Sequence, residues 1–283
     1  SAGRSDGVAK GERDYVSLWR DLSLRLRKST DGPRRGSDPW RERASRFDAS
    51  VRRRRREERD VLVDALATMV QPTDTLLDIG AGTGRWAVPL AAAARAVTAL
   101  DPSPAMLGIL ERNAAAAGVD NITVVPGGWQ DVEVGPHDIV LCSHAMYSSP
   151  DLMGFLRMME GAARRTCALA LRVPSHDGVI GELSERIHGH WHDSPNFVVA
   201  FNILLSAGIY PNVLMEPETR RWTDESFEAA LARAKRHLRL GETTEHDATI
   251  REVVAQRVTR HEGEWLWPDG MRSALVWWTP LKV

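Results

Sequence analysis

Cysteine is scarce in this chain. Its 283 residues include two, Cys142 and Cys167, each inside an apolar run. That excludes a disulfide framework and reads both as small buried hydrophobes. No apolar run approaches the ~18 residues of a membrane-spanning helix. The opening SAGRSDGVAKGERDY also lacks the apolar core of a signal peptide, so the expected location is the cytoplasm, with no membrane partner. Lysine is scarce as well, at four against 33 arginines. The run of five arginines at Arg52–Arg56 therefore reflects a chain-wide preference more than a nucleic-acid footprint.

What is present supports a globular protein. The hydrophobic fraction is 43%, ample for a sizeable core. The net charge of −1 hides an asymmetry: residues 1–70 carry 18 Lys or Arg against 12 Asp or Glu, and the remainder carries 19 against 26. Glu57, Glu58 and Asp60 follow the arginine run closely enough to pair with it. Phe47, Val51, Leu62, Leu66 and Met69 mark an apolar stripe beside it. The segment reads as the solvated face of a helix, and a nucleic-acid partner is not expected.

Two amphipathic segments open the chain, ERDYVSLWRDLSLRLRK and a longer one from about Pro39 to Val70, joined by the turn-rich STDGPRRGSDP. They predict an N-terminal helical cap over residues 1–70. From residue 71 the pattern alternates. TLLDIG, AVTALD, NITVVPG, HDIVLCSH and TCALALRVP read as strands, with helices at GRWAVPLAAAA, SPAMLGILERNAAAAG and MGFLRMMEGAARR. Short unalternating apolar strands separated by helices predict a doubly wound, mostly parallel α/β sheet. Insertions are expected at about 175–196 and 223–262, after the fifth strand. The first has no clear helix or strand in its pattern. FVVAFNILLSAG reads as a helix, YPNVLMEPETRRW as a sixth strand, and EWLWPDGMRSALVWWTP as a β-hairpin around Pro-Asp-Gly.

The first strand ends in LLDIGAGTGRW. A loop between a strand and a helix points backbone N–H groups at a ligand, and glycines let that ligand lie against the backbone. A dinucleotide fingerprint would place its third glycine where Arg85 stands. A carboxylate at Asp78 also suits a cationic ligand better than a pyrophosphate.

The pattern of Asp78, Gly80, Gly82 and Gly84 resembles motif I of the class I S-adenosylmethionine-dependent methyltransferases. Asp101, ending the second strand, matches the acid that in this family accepts hydrogen bonds from both ribose hydroxyls. The resemblance covers roughly residues 70–174, and RSALVWW is similar to the family's last strand, which runs antiparallel. It implies a Rossmann-like seven-stranded sheet at residues 71–283, with S-adenosylmethionine as cofactor and S-adenosylhomocysteine as product. It also implies that Asp78, Gly80, Ala81, Gly82 and Gly84 hold the amino acid and ribose portions. Pro102 and Met106 would wall the adenine. The family's usual Gly-Asp pair after the third strand is replaced by GGWQD, so Trp129 would stack on the adenine and Gln130 or Asp131 would take its polar contact. Ser143 lies at the boundary between cofactor and substrate.

For catalysis, His144 and then Tyr147 are the best-placed bases, just past the fourth strand. His188, His190 and His192 alternate in IHGHWHD, with His176 upstream, but a partly ordered lid over the substrate is the stronger reading and no metal is expected. Among ten tryptophans, Trp265, Trp267, Trp277 and Trp278 fall on the closing segment, with Trp19 and Trp40 in the cap. Most read as core, and a few would line an aromatic pocket under the cap, favouring a planar or apolar small molecule. The expected function is methyl transfer to an oxygen, nitrogen or carbon of a small molecule. Two alternatives remain open: an RNA or protein methyltransferase using the basic helix, and a non-catalytic S-adenosylmethionine-binding protein. No motif names the acceptor or the oligomeric state.

Overall fold

The computed structural model describes residues 14–29, 38, 41, 43–57, 59–217, 219–268 and 270–281. Trp40, most of the linker STDGPRRGSDP, Glu58, and Asp269 of the expected hairpin turn lie outside the described residues. So do the side chains of Arg53, Arg54, Arg55, Arg56 and Glu57, and with them most of the pairing expected along the arginine run.

Five strands run parallel: β1 (Thr75–Ile79), β2 (Ala96–Asp101), β3 (Ile122–Pro126), β4 (His137–Ser143) and β5 (Ala163–Val173). β10 (Arg272–Trp278) lies antiparallel between β5 and β6 (Asn212–Met215). The seven form the main sheet in the order β3-β2-β1-β4-β5-β10-β6. The Rossmann-like sheet with an antiparallel last strand is therefore present. Its strands are apolar without alternation because both faces are covered. Leu77, Val140 and Leu169 belong to the core on one face, while Leu76, Leu141 and Ala168 belong to the core on the other.

The flanking helices begin where short polar residues satisfy free amides. Ser103 accepts from the Met106 N–H ahead of α5 (Pro104–Ala116), with proline at its first position. The Asn196 side chain accepts from Val198 and Val199 at the start of α8 (Phe197–Ser206). The long N-terminal helix expected from Pro39 to Val70 is two helices, α2 (Ala44–Glu57) and α3 (Val61–Ala67). Asp60 marks the second start, since its side chain accepts from the Val63 N–H. The helix expected over GRWAVPLAAAA is shorter than its pattern, spanning Ala87–Ala91 as α4.

α1 (Tyr15–Ser29) packs into one core through Trp19 and Leu22, and Trp19 Nε1 donates to the Ser149 carbonyl at 2.8 Å. α2 rests on α5, where Ala44 meets Met106 and Ile109. α3 buries Leu62, Val63 and Leu66 in the other core. α6 (Leu152–Ala162) precedes β5.

Two expectations after the fifth strand are corrected. The segment at 175–196 contains a helix, α7 (Val179–His188), closed by left-handed Gly189. It joins α9 (Phe227–His237) and α10 (Asp247–Arg257) around a third core that includes Trp267. The closing residues are not one hairpin. β9 (Glu264–Leu266) pairs with β8 (Thr259–His261) and β7 (Thr223–Asp224) in a separate three-stranded sheet, whereas β10 crosses to the main sheet. The turn between β8 and β9 is at Glu262 and Gly263, both with positive φ.

Candidate active site

The glycine loop leaves β1 at the carboxyl edge of the sheet, the edge at which open α/β sheets bind ligands. Gly80, Gly82 and Gly84 have φ of +72°, +55° and +88°, values that side chains rarely adopt. Their surroundings differ. A Cβ on Gly80 would overlap that of Ala145, and one on Gly84 would press on Val88 and Leu110. A Cβ on Gly82 would meet only Phe47, at 4.0 Å. The outer glycines are thus fixed by packing as well as by φ, and Gly82 faces open space.

Two acids support this loop. Asp101 accepts from the Gly82 N–H and the Ser103 N–H, each at 2.9 Å. Burial raises its pKa above the usual carboxylate value, against the pull of those two amides. Asp78 is 1% exposed, and neither carboxylate oxygen has a hydrogen-bond partner at bonding geometry. Burial, with Asp101 nearby, pushes its pKa up to about 7, and the Ala87 amide opposes the rise. A buried acid left in this condition fits a cationic group, such as the amino group and sulfonium of S-adenosylmethionine.

A cavity of about 430 Å³ opens over the loop. Gly80, Ala81 and Gly82 line one side, and Ser143, His144 and Tyr147 lie beside them. Phe47 and Val51 of α2 and the ring of Trp86 close over it. On the far side are Arg172, Arg272, Ser273 and Trp222. His144 has a left-handed φ of 55°, and its backbone N–H donates to the Ala170 carbonyl at 3.0 Å. Its Nδ1 lies 2.9 Å from the Tyr147 hydroxyl and its Nε2 3.5 Å from Ser273 Oγ. The Tyr147 oxygen accepts from the Arg172 N–H at 2.6 Å. Burial pushes the Tyr147 pKa up to about 12, so the phenol keeps its proton at neutral pH.

Of the residues singled out in the sequence, the cavity brings together Gly80, Ala81, Gly82, Ser143, His144 and Tyr147. Asp78, Gly84, Asp101, Pro102, Met106, Trp129 and Gln130 are not on its lining. Met106 is buried against Ala44, and Trp129 is 8% exposed with its ring 6.3 Å from that of Phe155. Pro102, Gln130 and Asp131 are exposed. The rings of His188 and His190 stack with centroids 6.2 Å apart, but the three alternate histidines take different hydrogen-bond partners: His188 Nε2 meets the Leu238 carbonyl, His190 meets Arg25, and His192 meets Asn196. Among the described residues, no group of three His, Cys, Asp or Glu side chains is arranged to hold a metal.

Sequence reasoning missed Arg172, Arg272 and Trp222. Arg172 had a signal, a charged residue at the carboxyl end of a buried strand. Arg272 and Trp222 reach the cavity through pairings that no local pattern shows.

The sheet order and the glycine loop after β1 give the chain a Rossmann-like fold with a ligand-binding edge. Residues 76–165 match the family model described as a methyltransferase domain. An uncharacterized protein of Haemophilus influenzae is 28% identical over 223 residues, covering 77% of this chain and 80% of its own. The YcgJ protein from Bacillus subtilis shares the fold with a TM-score of 0.54 at 14% identity, over 80% of this chain and 100% of that one. A methyltransferase from Geobacter sulfurreducens, solved with S-adenosylhomocysteine, has a TM-score of 0.46 at 15% identity, over 79% of this chain and 92% of its own. No helix among the described residues is long and apolar enough to cross a membrane.

Proposed function

We propose that this chain transfers a methyl group from S-adenosylmethionine to a small molecule held in the cavity above the glycine loop. The observation that carries the reading is Asp78, a buried carboxylate without a hydrogen-bond partner beneath a loop of three positive-φ glycines. When bound, the cofactor supplies an electrophilic methyl on a sulfonium. Asp78 would balance the positive charge of its amino acid end from beneath the loop, Gly80 to Gly82 would give backbone contact, and Asp101 would offer acceptor oxygens to the ribose.

Methyl transfer asks the protein mainly for alignment. What supports it is that His144 follows β4, the strand between β1 and β5, and lines the same cavity as the glycine loop. For an acceptor that must lose a proton, His144 is the base. That role requires its Nδ1 to carry the ring proton and donate it to Tyr147 Oη, so that Nε2 takes the acceptor's proton.

The test is incubation with methyl-labelled S-adenosylmethionine and separate fractions of small metabolites, RNA and protein. Label in the small-molecule fraction, lost in His144→Ala, is the expected result. Label in RNA or protein alone would overturn the choice of substrate class.

A further inference from the structure

The far wall of the cavity is basic, and among the described residues no Asp or Glu lines it. Four arginines do line the cavity: Arg85, Arg172, Arg220 and Arg272. Two are neutralised. Arg85 pairs with Asp60 at 2.9 Å, and Arg220 pairs with Glu216 at 3.0 Å. Arg172 and Arg272 have only neutral hydrogen-bond partners among the described residues. Arg172 donates to Ser194 Oγ at 2.9 Å and to the Pro195 carbonyl at 3.2 Å, and Arg272 donates to the Glu216 carbonyl at 3.2 Å. Asp193 reaches Arg172 only through Ser194, which donates to it at 3.1 Å.

The two arginines stand at one place in the sheet. Arg172 is opposite Ser273, and Arg272 is opposite Val173, in the antiparallel β5–β10 ladder, so their side chains leave opposite faces at the strand ends and both reach the cavity at the sheet edge. The glycine loop follows β1, two strands away from β5 in the sheet order. At ~4.8 Å per strand, that is about 10 Å, so the arginines lie beyond His144 on the side away from Asp101. Both are partly buried, where a guanidinium without an acid partner favours an anion. An aromatic wall adjoins them, with the Arg233 guanidinium 5.4 Å from the Trp222 ring centre. Trp222 lines the cavity with its ring stacked 4.5 Å from that of His237, and Arg172 lies 5.0 Å from the Tyr147 ring centre.

We propose that Arg172 and Arg272 form an anion subsite, and that the methyl acceptor is a small acid, bearing a carboxylate or phosphate and an apolar ring that rests against Trp222. This deepens the methyltransferase reading and rests on it. The anion anchors the acceptor at the far wall, turning the rest of the molecule toward His144 and the glycine loop.

The experiment uses the full chain saturated with S-adenosylhomocysteine and follows tryptophan fluorescence on titration with benzoate, phenyl phosphate and the neutral benzamide. At least one anion is expected to bind tenfold or more tightly than benzamide, and the preferred anion separates carboxylate from phosphate. Arg272→Gln and Arg172→Gln are each expected to weaken that anion about tenfold while leaving benzamide and S-adenosylhomocysteine unchanged. Arg272→Gln carries the test if Arg172→Gln fails to fold. Equal binding of benzamide, binding of none of the three, or unchanged anion affinity in Arg272→Gln would overturn the proposal. Weakened S-adenosylhomocysteine binding in Arg272→Gln would assign the arginines to the cofactor's carboxylate and overturn it too. Failure of the wild type to bind S-adenosylhomocysteine at all would instead be failure of the methyltransferase reading.

Discussion

The Gly82 amide donates to the Asp101 carboxylate at 2.9 Å, tying the middle of the glycine loop to the end of the neighbouring strand. The contact joins two features that stand 19 residues apart in sequence. One acid therefore shapes the loop and offers its remaining acceptor capacity to a ligand.

Asp101→Ala removes both functions. The expected loss in S-adenosylhomocysteine affinity is about 2 kcal/mol or more, read by calorimetry on a variant whose circular dichroism matches wild type. Unchanged affinity would mean that the ribose is held elsewhere.

Asp78 makes stability depend on pH. Its pKa in the folded chain, about 7, lies above the ordinary carboxylate value. Its stabilising contribution is therefore fully present below about pH 4 and is lost as pH rises through about 7, an effect on the order of 4 kcal/mol. Denaturant titrations should show wild type losing stability relative to Asp78→Asn across that window. Cofactor binding should reverse the shift and release protons near pH 7, detected by calorimetry in buffers of different ionisation enthalpy. A parallel pH dependence of the two proteins would contradict the assignment.

The glycines should differ in cost. Gly82→Ala meets no close neighbour and carries mainly backbone strain, about 1 kcal/mol. Gly80→Ala adds the overlap with Ala145 and should cost about 1–3 kcal/mol more. Equal unfolding midpoints would show that the loop relaxes freely.

Tyr147→Phe leaves the Arg172 amide without its oxygen partner. The expected destabilisation is about 1–3 kcal/mol, measured by urea unfolding, with S-adenosylhomocysteine affinity retained. No loss of stability would show that the amide finds another acceptor.

Much of the sheet is legible because its strands are local signals. AVTALD coincides with β2, and TLLDIG runs one glycine past β1, since both strands are apolar, buried and bounded by Asp74 or Arg95 before them and Gly80 or Pro102 after them. The division between α2 and α3 is hidden because the apolar stripe continues across it, while the cap at Asp60 depends on one side-chain contact. The closing segment reads as a single hairpin for a related reason. Pro-Asp-Gly is a valid turn signal, but the partner of each flanking strand is decided by long-range packing: β9 with β8, and β10 with β5. At the candidate site, the glycine loop and Asp101 can be read from short motifs. Arg172 and Arg272 cannot be joined that way, because they stand about 100 positions apart and only the pairing of β10 with β5 brings their strand ends to the same cavity.

The most direct test of the central claim is calorimetric titration of wild type and Gly82→Asp with S-adenosylmethionine, S-adenosylhomocysteine and NAD. The account predicts that wild type binds both sulfur nucleotides and not NAD, and that the aspartate, placed into the open space above Gly82, abolishes binding. Binding of NAD alone, or of none of the three by wild type, would contradict it.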